Sequence, residues 1–90
     1  MYYVYILECV DGTLYVGSTN HLEKRLHAHN TAKSGAHYTK IRRPVILQYQ
    51  ETYATIGDAL RREAEIKTWT RAEKLKFIDL AEMDSASSAE

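Results

Sequence analysis

The alternation of apolar and polar positions at the amino terminus predicts a β-hairpin. Residues 1–10 and 13–18 are rich in Tyr, Val and Ile, which favour strands. Asp11 and Gly12 stand between these segments and are typical of tight turns. A two-residue turn and a three-residue loop with Gly12 in the left-handed conformation both fit this spacing. We prefer the loop, because it keeps the tyrosines of the two strands on one face.

That register gives the two faces of the hairpin different characters. It pairs Leu7 with Tyr15 and Tyr5 with Gly17. One face then carries four aliphatic side chains: Val4, Ile6, Leu14 and Val16. The other face carries three phenols: Tyr3, Tyr5 and Tyr15. We therefore expect the first face to pack and the second to present its tyrosines.

Capping signals and apolar spacing predict the elements that follow. Asn20 and Glu23 resemble a capping box at the start of a helix over residues 21–32. A loop over residues 33–44 comes next, and alternation over residues 45–53 predicts a third strand. The apolar side of this strand would carry three residues: Val45, Leu47 and Tyr49.

Two further helices complete the predicted fold. They cover residues 55–69 and 70–83, and each begins with a threonine that an acidic residue follows three positions later. The order ββαβαα predicts an α/β fold of the α+β type, with a small three-stranded antiparallel sheet flanked by helices. One domain would cover residues 1–82, and residues 83–90 would form a flexible acidic tail.

Composition narrows the expected setting and partners. The lone Cys9 excludes an internal disulfide, and no apolar run approaches the ~20 residues of a membrane span, so we expect a cytoplasmic protein without membrane contact. The formal net charge is zero, yet residues 20–43 carry six Lys and Arg against one Glu. The last twelve residues carry four carboxylates and no Lys or Arg. No Gly-rich phosphate loop or zinc-ligand spacing occurs, so we expect neither a nucleotide cofactor nor zinc.

A carboxylate interrupts the apolar side of the second predicted helix. The stripe consists of Ile56, Ala59, Leu60 and Ile66. Glu63 lies in the middle of it, and a desolvated carboxylate requires a counter-charge, a proton or a cation. Lys67, four residues on, or an arginine from another element would supply an ordinary ion pair. A bound metal ion is the alternative, and both interpretations remain open.

The first predicted helix also turns polar groups toward the sheet. Arg25 and His29 are four residues apart, within the apolar arc formed by Leu22, Leu26 and Ala28. Taken alone, the histidine would bond a backbone group and the arginine a carboxylate. Together with Glu63 and the tyrosine face, they outline a site that combines a phosphate-binding cation, a metal ligand and proton-transfer groups.

The loop before the third strand mixes cations with an aromatic ring. Lys40, Arg42 and Arg43 suit backbone phosphates, and Tyr38 suits stacking on a base. A solvated, charge-rich loop explains the same residues equally well.

The chain resembles the GIY-YIG nucleases. The resemblance lies in Tyr3-Val4-Tyr5, in Tyr15-Val16-Gly17, and in the helix sequences over residues 20–30 and 60–67. It covers residues 1–80 and is strongest for the small stand-alone bacterial members. Two departures are present: Tyr3 replaces the first glycine of the signature, and no asparagine follows the second helix, where many active members have one.

The resemblance implies a role for each matching residue. Tyr5 and Tyr15 match the signature tyrosines, the second near the attacking water, and Gly17 would leave space beside Tyr5 for a phosphate. Arg25 matches the arginine that holds the scissile phosphate. His29 matches a proton-transfer residue of some members. Glu63 matches the sole protein ligand of a divalent metal ion, Mg²⁺ or Mn²⁺.

These observations lead to one hypothesis and two alternatives. The hypothesis is a metal-dependent endonuclease that hydrolyses DNA phosphodiester bonds, with Lys67 and the loop cations as further contacts to the substrate. The first alternative is a noncatalytic nucleic-acid-binding module with the same fold. The second is an interaction domain that does not bind nucleic acid.

Overall fold

The computed structural model describes residues 1–31 and 42–88, with side chains up to residue 82. These residues form β1 (Tyr2–Glu8), β2 (Leu14–Thr19), α1 (Leu22–Thr31), β3 (Ile46–Tyr53), α2 (Ile56–Lys67) and α3 (Arg71–Ser88). The strands form one antiparallel sheet in the order β2-β1-β3. The predicted class and the order ββαβαα are confirmed.

The hairpin adopts the preferred register. Tyr5 pairs with Gly17 and Leu7 with Tyr15. Gly12 has a φ of +83°, the left-handed conformation that the three-residue loop requires. Tyr3, Tyr5 and Tyr15 therefore share one face of the sheet, as predicted.

Both faces of the sheet are buried, so the expectation that one face simply presents its phenols is wrong. The first core lies between the sheet and the last two helices and contains Val4, Ile6, Val16, Ala59, Ile66 and Ile78. The second lies beneath α1 and contains Tyr5, Leu7, Cys9 and Val45. Helix α1 folds back over β1 and packs Leu22 and Leu26 against the tyrosine face, so Tyr5 is only 1% exposed.

A β-bulge in β3 separates two residues that were predicted to share a face. Ile6 pairs with Tyr49, whereas the adjacent Leu7 pairs with Leu47. Gln48 is therefore the extra residue, and its insertion turns Tyr49 toward the first core and Leu47 toward the second. The alternation of this segment alone gave no sign of the insertion.

Helix α1 begins at Leu22, one residue later than predicted. The imidazole Nδ1 of His21 accepts a hydrogen bond from the Lys24 amide at 3.3 Å, and its carbonyl accepts the first helical bond from the Arg25 amide. His21, not Asn20, is therefore the N-cap, and its ring is held in place by that role.

The caps of α2 and α3 are those predicted, but both ends differ. Thr55 Oγ1 accepts the Asp58 amide at 3.2 Å, and Thr70 and Glu73 form a reciprocal capping box. Helix α2 ends at Lys67 rather than near residue 69, and α3 continues to Ser88 rather than ending near residue 83. In the chain outside residues 32–41 and 89–90, no helix is long and apolar enough to cross a membrane.

The buried side of α2 is rotated from the predicted stripe. Ala59 and Ile66 are buried, whereas Ile56 and Leu60 expose 55% and 50% of their surface. The polar residues Arg62 and Glu63 turn toward the sheet beside Ala59 and Ile66, with side chains 22% and 17% exposed. The packing of α2 therefore depends on how these two charged groups are satisfied.

A bidentate ion pair anchors α2 to β3. The Nε and Nη2 atoms of Arg62 donate to the two carboxylate oxygens of Glu51 at 2.9 and 3.0 Å. The hydroxyls of Tyr49 and Tyr53 also donate to this carboxylate, at 2.5 and 2.7 Å. The guanidinium lies 5.2 Å from the centroid of the Trp69 ring, so it is both paired and stacked.

This ion pair generates a stability prediction with a matched control. Substitution Arg62→Gln leaves a partly buried carboxylate without its cation and should lower the free energy of unfolding by about 2–3 kcal/mol. The neighbouring Arg61 pairs with Asp58 through a side chain that is 77% exposed. Arg61→Gln should therefore change stability by less than about 0.5 kcal/mol. Urea unfolding of both variants measures the difference, and equal losses would contradict the anchoring role.

Candidate active site

Four of the predicted site residues form one contact network between β1, β2 and α1. The Tyr5 hydroxyl and His29 Nε2 are 2.8 Å apart. The Tyr15 ring lies edge-on to His29, with centroids 5.1 Å apart, and its centroid is 6.4 Å from that of Tyr5. The Arg25 guanidinium lies close enough to both tyrosines to interact with them electrostatically. The i, i+4 spacing on α1 places the guanidinium and the imidazole on the same side, as predicted.

The protonation states of this network follow from its burial. Burial, with the charges of Arg25 and Arg43, lowers the pKa of His29 to about 4, so its imidazole is neutral at pH 7. Burial also raises the pKa of Tyr5 to about 12, although the nearby Arg25 guanidinium opposes the rise. Tyr5 therefore keeps its proton, and the arrangement consistent with a neutral His29 has the Tyr5 O–H donating to His29 Nε2.

Gly17 makes the close approach of the tyrosines sterically feasible. A Cβ atom at this position would lie 2.5 Å from the Tyr5 hydroxyl oxygen and 3.1 Å from Cε1 of Tyr15. Any side chain would displace the Tyr5 ring from His29. The missing side chain was expected to leave room for a phosphate, but the phenol of Tyr5 fills that room.

Glu63 reaches the same part of the sheet from α2. Its Oε1 atom accepts a hydrogen bond from Ser18 Oγ at 2.5 Å, and its Oε2 atom lies 2.6 Å from Lys67 Nζ. The Lys67 ion pair considered from the sequence therefore exists, although the lysine side chain is 54% exposed. Sequence reasoning missed Ser18. The sequence did contain a signal for it: Ser18 is polar, yet it follows Val16 by two positions and so shares the packing face of β2.

The two halves of the site approach edge strand β2 from opposite faces of the sheet. Tyr15 and Gly17 face α1, whereas Ser18 lies on the face that α2 covers, because side chains alternate along a strand. The charge of Glu63 also contributes to the raised pKa of Tyr5, which places the carboxylate within electrostatic reach of the tyrosines. Cationic and anionic groups thus lie on opposite faces of one edge strand.

The described part of the basic loop is engaged with the protein itself. Arg42 Nε lies 3.1 Å from a carboxylate oxygen of Asp11. Arg43 donates to the carbonyls of His29 and Ala28 at 2.5 and 3.1 Å, and so caps the end of α1. These contacts tie the loop to the site rather than to solvent. The predicted substrate contacts Tyr38 and Lys40 lie outside the described residues.

Glu63 is the residue that fits a divalent cation. Its carboxylate is largely shielded, Ser18 fixes one oxygen, and each oxygen keeps a lone pair beyond its present partner. Among the side chains of residues 1–31 and 42–82, no three His, Cys, Asp or Glu groups converge. An Mg²⁺ or Mn²⁺ ion here would take its other ligands from water and from the phosphate, as Mg²⁺ commonly does.

Small bacterial proteins have closely similar sequences. A UPF0213 protein of Staphylococcus epidermidis is 57% identical over 77 residues, which are 86% of this chain and 93% of that protein. A UPF0213 protein of Bacillus pumilus is 46% identical over 89 residues, 99% of this chain and 90% of its own. These names assign no activity.

Solved structures support the fold, and a family model identifies the domain. The solution structure of a UPF0213 protein of Bacillus halodurans is 37% identical, with a TM-score of 0.57 over 89% of this chain and 85% of that one. A protein of E. faecalis is 36% identical, with a TM-score of 0.61 over 91% and 86%. The model of the GIY-YIG catalytic domain matches residues 1–76. The chain therefore belongs to the GIY-YIG nuclease family, as its two tripeptides indicated.

Proposed function

We propose that this protein is a metal-dependent endonuclease that hydrolyses phosphodiester bonds in DNA. The observation that carries the proposal is that two groups of side chains reach consecutive residues of edge strand β2, Gly17 and Ser18, from opposite faces of the sheet. One group is the Arg25 network with its tyrosines and His29, and the other is the shielded carboxylate of Glu63. Membership of a family that acts on nucleic acid supports the same conclusion.

Each residue of the network has a distinct role in this proposal. Arg25 binds the scissile phosphate and stabilises the charge that develops on its oxygens. Tyr15 contacts and orients the attacking water, with its ring held edge-on against His29, and the proton of that water leaves to solvent. Tyr5 is a positioning residue, because its buried hydroxyl holds His29 in place rather than meeting the substrate.

Glu63 is the proposed metal ligand. GIY-YIG nucleases typically use divalent metal ions, which polarise the phosphate and assist the leaving oxygen. Ser18 aims the carboxylate, and the exposed ammonium of Lys67 is free to swing toward the phosphate when a cation replaces it. Lys67 then serves as the substrate contact that the sequence analysis expected.

A nicking assay on supercoiled plasmid DNA tests the central roles. Cleavage should require Mg²⁺ or Mn²⁺, and Glu63→Gln should reduce its rate roughly 100-fold or more, because the carboxylate no longer holds the ion. Arg25→Gln should reduce the rate to a similar degree, because the phosphate loses its cation. Arg61→Gln, which removes an exposed charge from the same helix as Glu63, is the matched control and should cut normally.

Three outcomes would contradict the proposal. Equal cleavage by wild type, Glu63→Gln and Arg25→Gln would reject the assigned roles. Cleavage that persists in EDTA would reject the metal. Salt-sensitive DNA binding without cleavage, unchanged by EDTA, would instead identify the noncatalytic binding module.

The contact between Ser18 and Glu63 predicts a separable effect on metal binding. Ser18→Ala removes the hydrogen bond that orients the carboxylate and should weaken Mn²⁺ binding roughly 10-fold. Ser18→Thr keeps a hydroxyl and should restore most of the affinity. Calorimetric titration of each variant with Mn²⁺ measures this directly. Unchanged affinity in Ser18→Ala would show that the serine does not position the ligand.

The neutral state of His29 predicts a pH dependence of stability. The pKa of His29 is about 4 in the folded protein, below its ordinary 6.5, so the unfolded chain takes up a proton in this interval that the folded chain does not. The free energy of unfolding should therefore fall as the pH decreases from about 6.5 to 4. His29→Gln should flatten that slope in urea unfolding, and substitution of the exposed His27 should leave it unchanged.

A further inference from the structure

An open groove lies beside the proposed active site, between the start of α1 and the tyrosine face of the sheet. Its volume is about 460 Å³. Two rings line it, those of Tyr3 from β1 and His21 from the N-cap of α1, together with Leu47 and Gln50 of β3. None of these residues belongs to the network around Arg25, so the proposed chemistry leaves the groove unexplained.

The groove adjoins the proposed phosphate site along both β1 and α1. Tyr3 precedes Tyr5 by two residues on β1, which places their side chains on the same face about 7 Å apart. His21 precedes Arg25 by four residues at the start of α1, one helical turn or about 6 Å. Because Tyr3 and His21 both line the groove, β1 and α1 place it on the same side of the Arg25 network.

The lining suits a flat, neutral ligand rather than a phosphate. Among the described residues that line the groove, none is Lys or Arg, and Glu23 contributes a carboxylate. A phosphate would be repelled there, whereas a nucleobase could stack on the rings and bond the Gln50 amide. The His21 ring is already fixed, because its Nδ1 accepts the Lys24 amide, so little rotamer entropy is lost when a base stacks on it.

We propose that this groove binds the base of a nucleotide adjacent to the scissile phosphate, with Tyr3 and His21 as stacking platforms. The inference rests on the proposed function and narrows its substrate class. A base reaches the groove only when it is unpaired, because a paired base keeps its faces inside the duplex stack. The protein therefore acts on single-stranded or locally unpaired nucleic acid. Tyr3, the departure from the family signature, supplies one of the two rings.

Binding of short labelled oligonucleotides in EDTA tests the groove without cleavage. The probes are an oligothymidylate, an abasic strand of equal length and a duplex that contains the thymidylate strand. Wild type should bind the oligothymidylate roughly 10-fold tighter than the abasic strand. Tyr3→Leu and His21→Asn should each lose most of that preference and bind the abasic strand as wild type does. His21→Asn retains a residue suited to the N-cap.

Tyr3→Phe is the matched control, because it keeps the aromatic face and removes only the hydroxyl. It should bind the oligothymidylate like wild type, and neither variant of Tyr3 should change binding to the duplex. Circular dichroism melts establish that each variant is folded. If Tyr3→Leu binds the oligothymidylate like wild type, or loses affinity equally for both single strands, the subsite is rejected.

The plasmid assay separates failure of the groove from failure of the proposed function. Wild type that cleaves in Mg²⁺, with a Tyr3→Leu variant that binds every probe normally, overturns the base subsite and leaves the nuclease intact. Wild type that neither cleaves nor binds any probe overturns the proposed function and the groove with it. Tight duplex binding with no preference for the single strand rejects the substrate class inferred here.

Discussion

The hydrogen bond between the Tyr5 hydroxyl and His29 Nε2 joins the hairpin to α1, and the site depends on it. Tyr5 approaches this position only because Gly17, its partner on β2, has no side chain in the path of its ring. The same burial keeps the phenol protonated and the imidazole neutral. One steric constraint therefore determines both the geometry and the proton distribution of the network.

Helix α2 brings the carboxylate through a second, independent anchor. Arg62 is held by Glu51 on β3, and the next residue, Glu63, is held by Ser18 on β2. Because α2 packs across all three strands, its two consecutive charged residues contact opposite edges of the sheet. The structural ion pair thus fixes the rotation of the helix and, with it, the direction of the proposed metal ligand.

Glu51 stabilises the fold, whereas Glu63 is the glutamate proposed to bind the metal ion. The Glu51 carboxylate is saturated by Arg62 and two tyrosine hydroxyls, so it is unsuited to bind a further cation. Glu63 has fewer fixed partners, and one of them is an exposed lysine. Two glutamates at similar depth therefore have different uses, which are decided by the number and mobility of their counter-charges.

The sequence by itself determined the element order, the hairpin register, the caps of α2 and α3, and the grouping of Arg25 and His29, because these follow from local periodicity and turn chemistry. Only the tertiary structure decided which polar groups meet. It buried the phenol face beneath α1, turned Tyr49 over through a bulge and paired Ser18 with Glu63. These outcomes depend on contacts between residues far apart in the chain, which hydrophobic spacing does not encode.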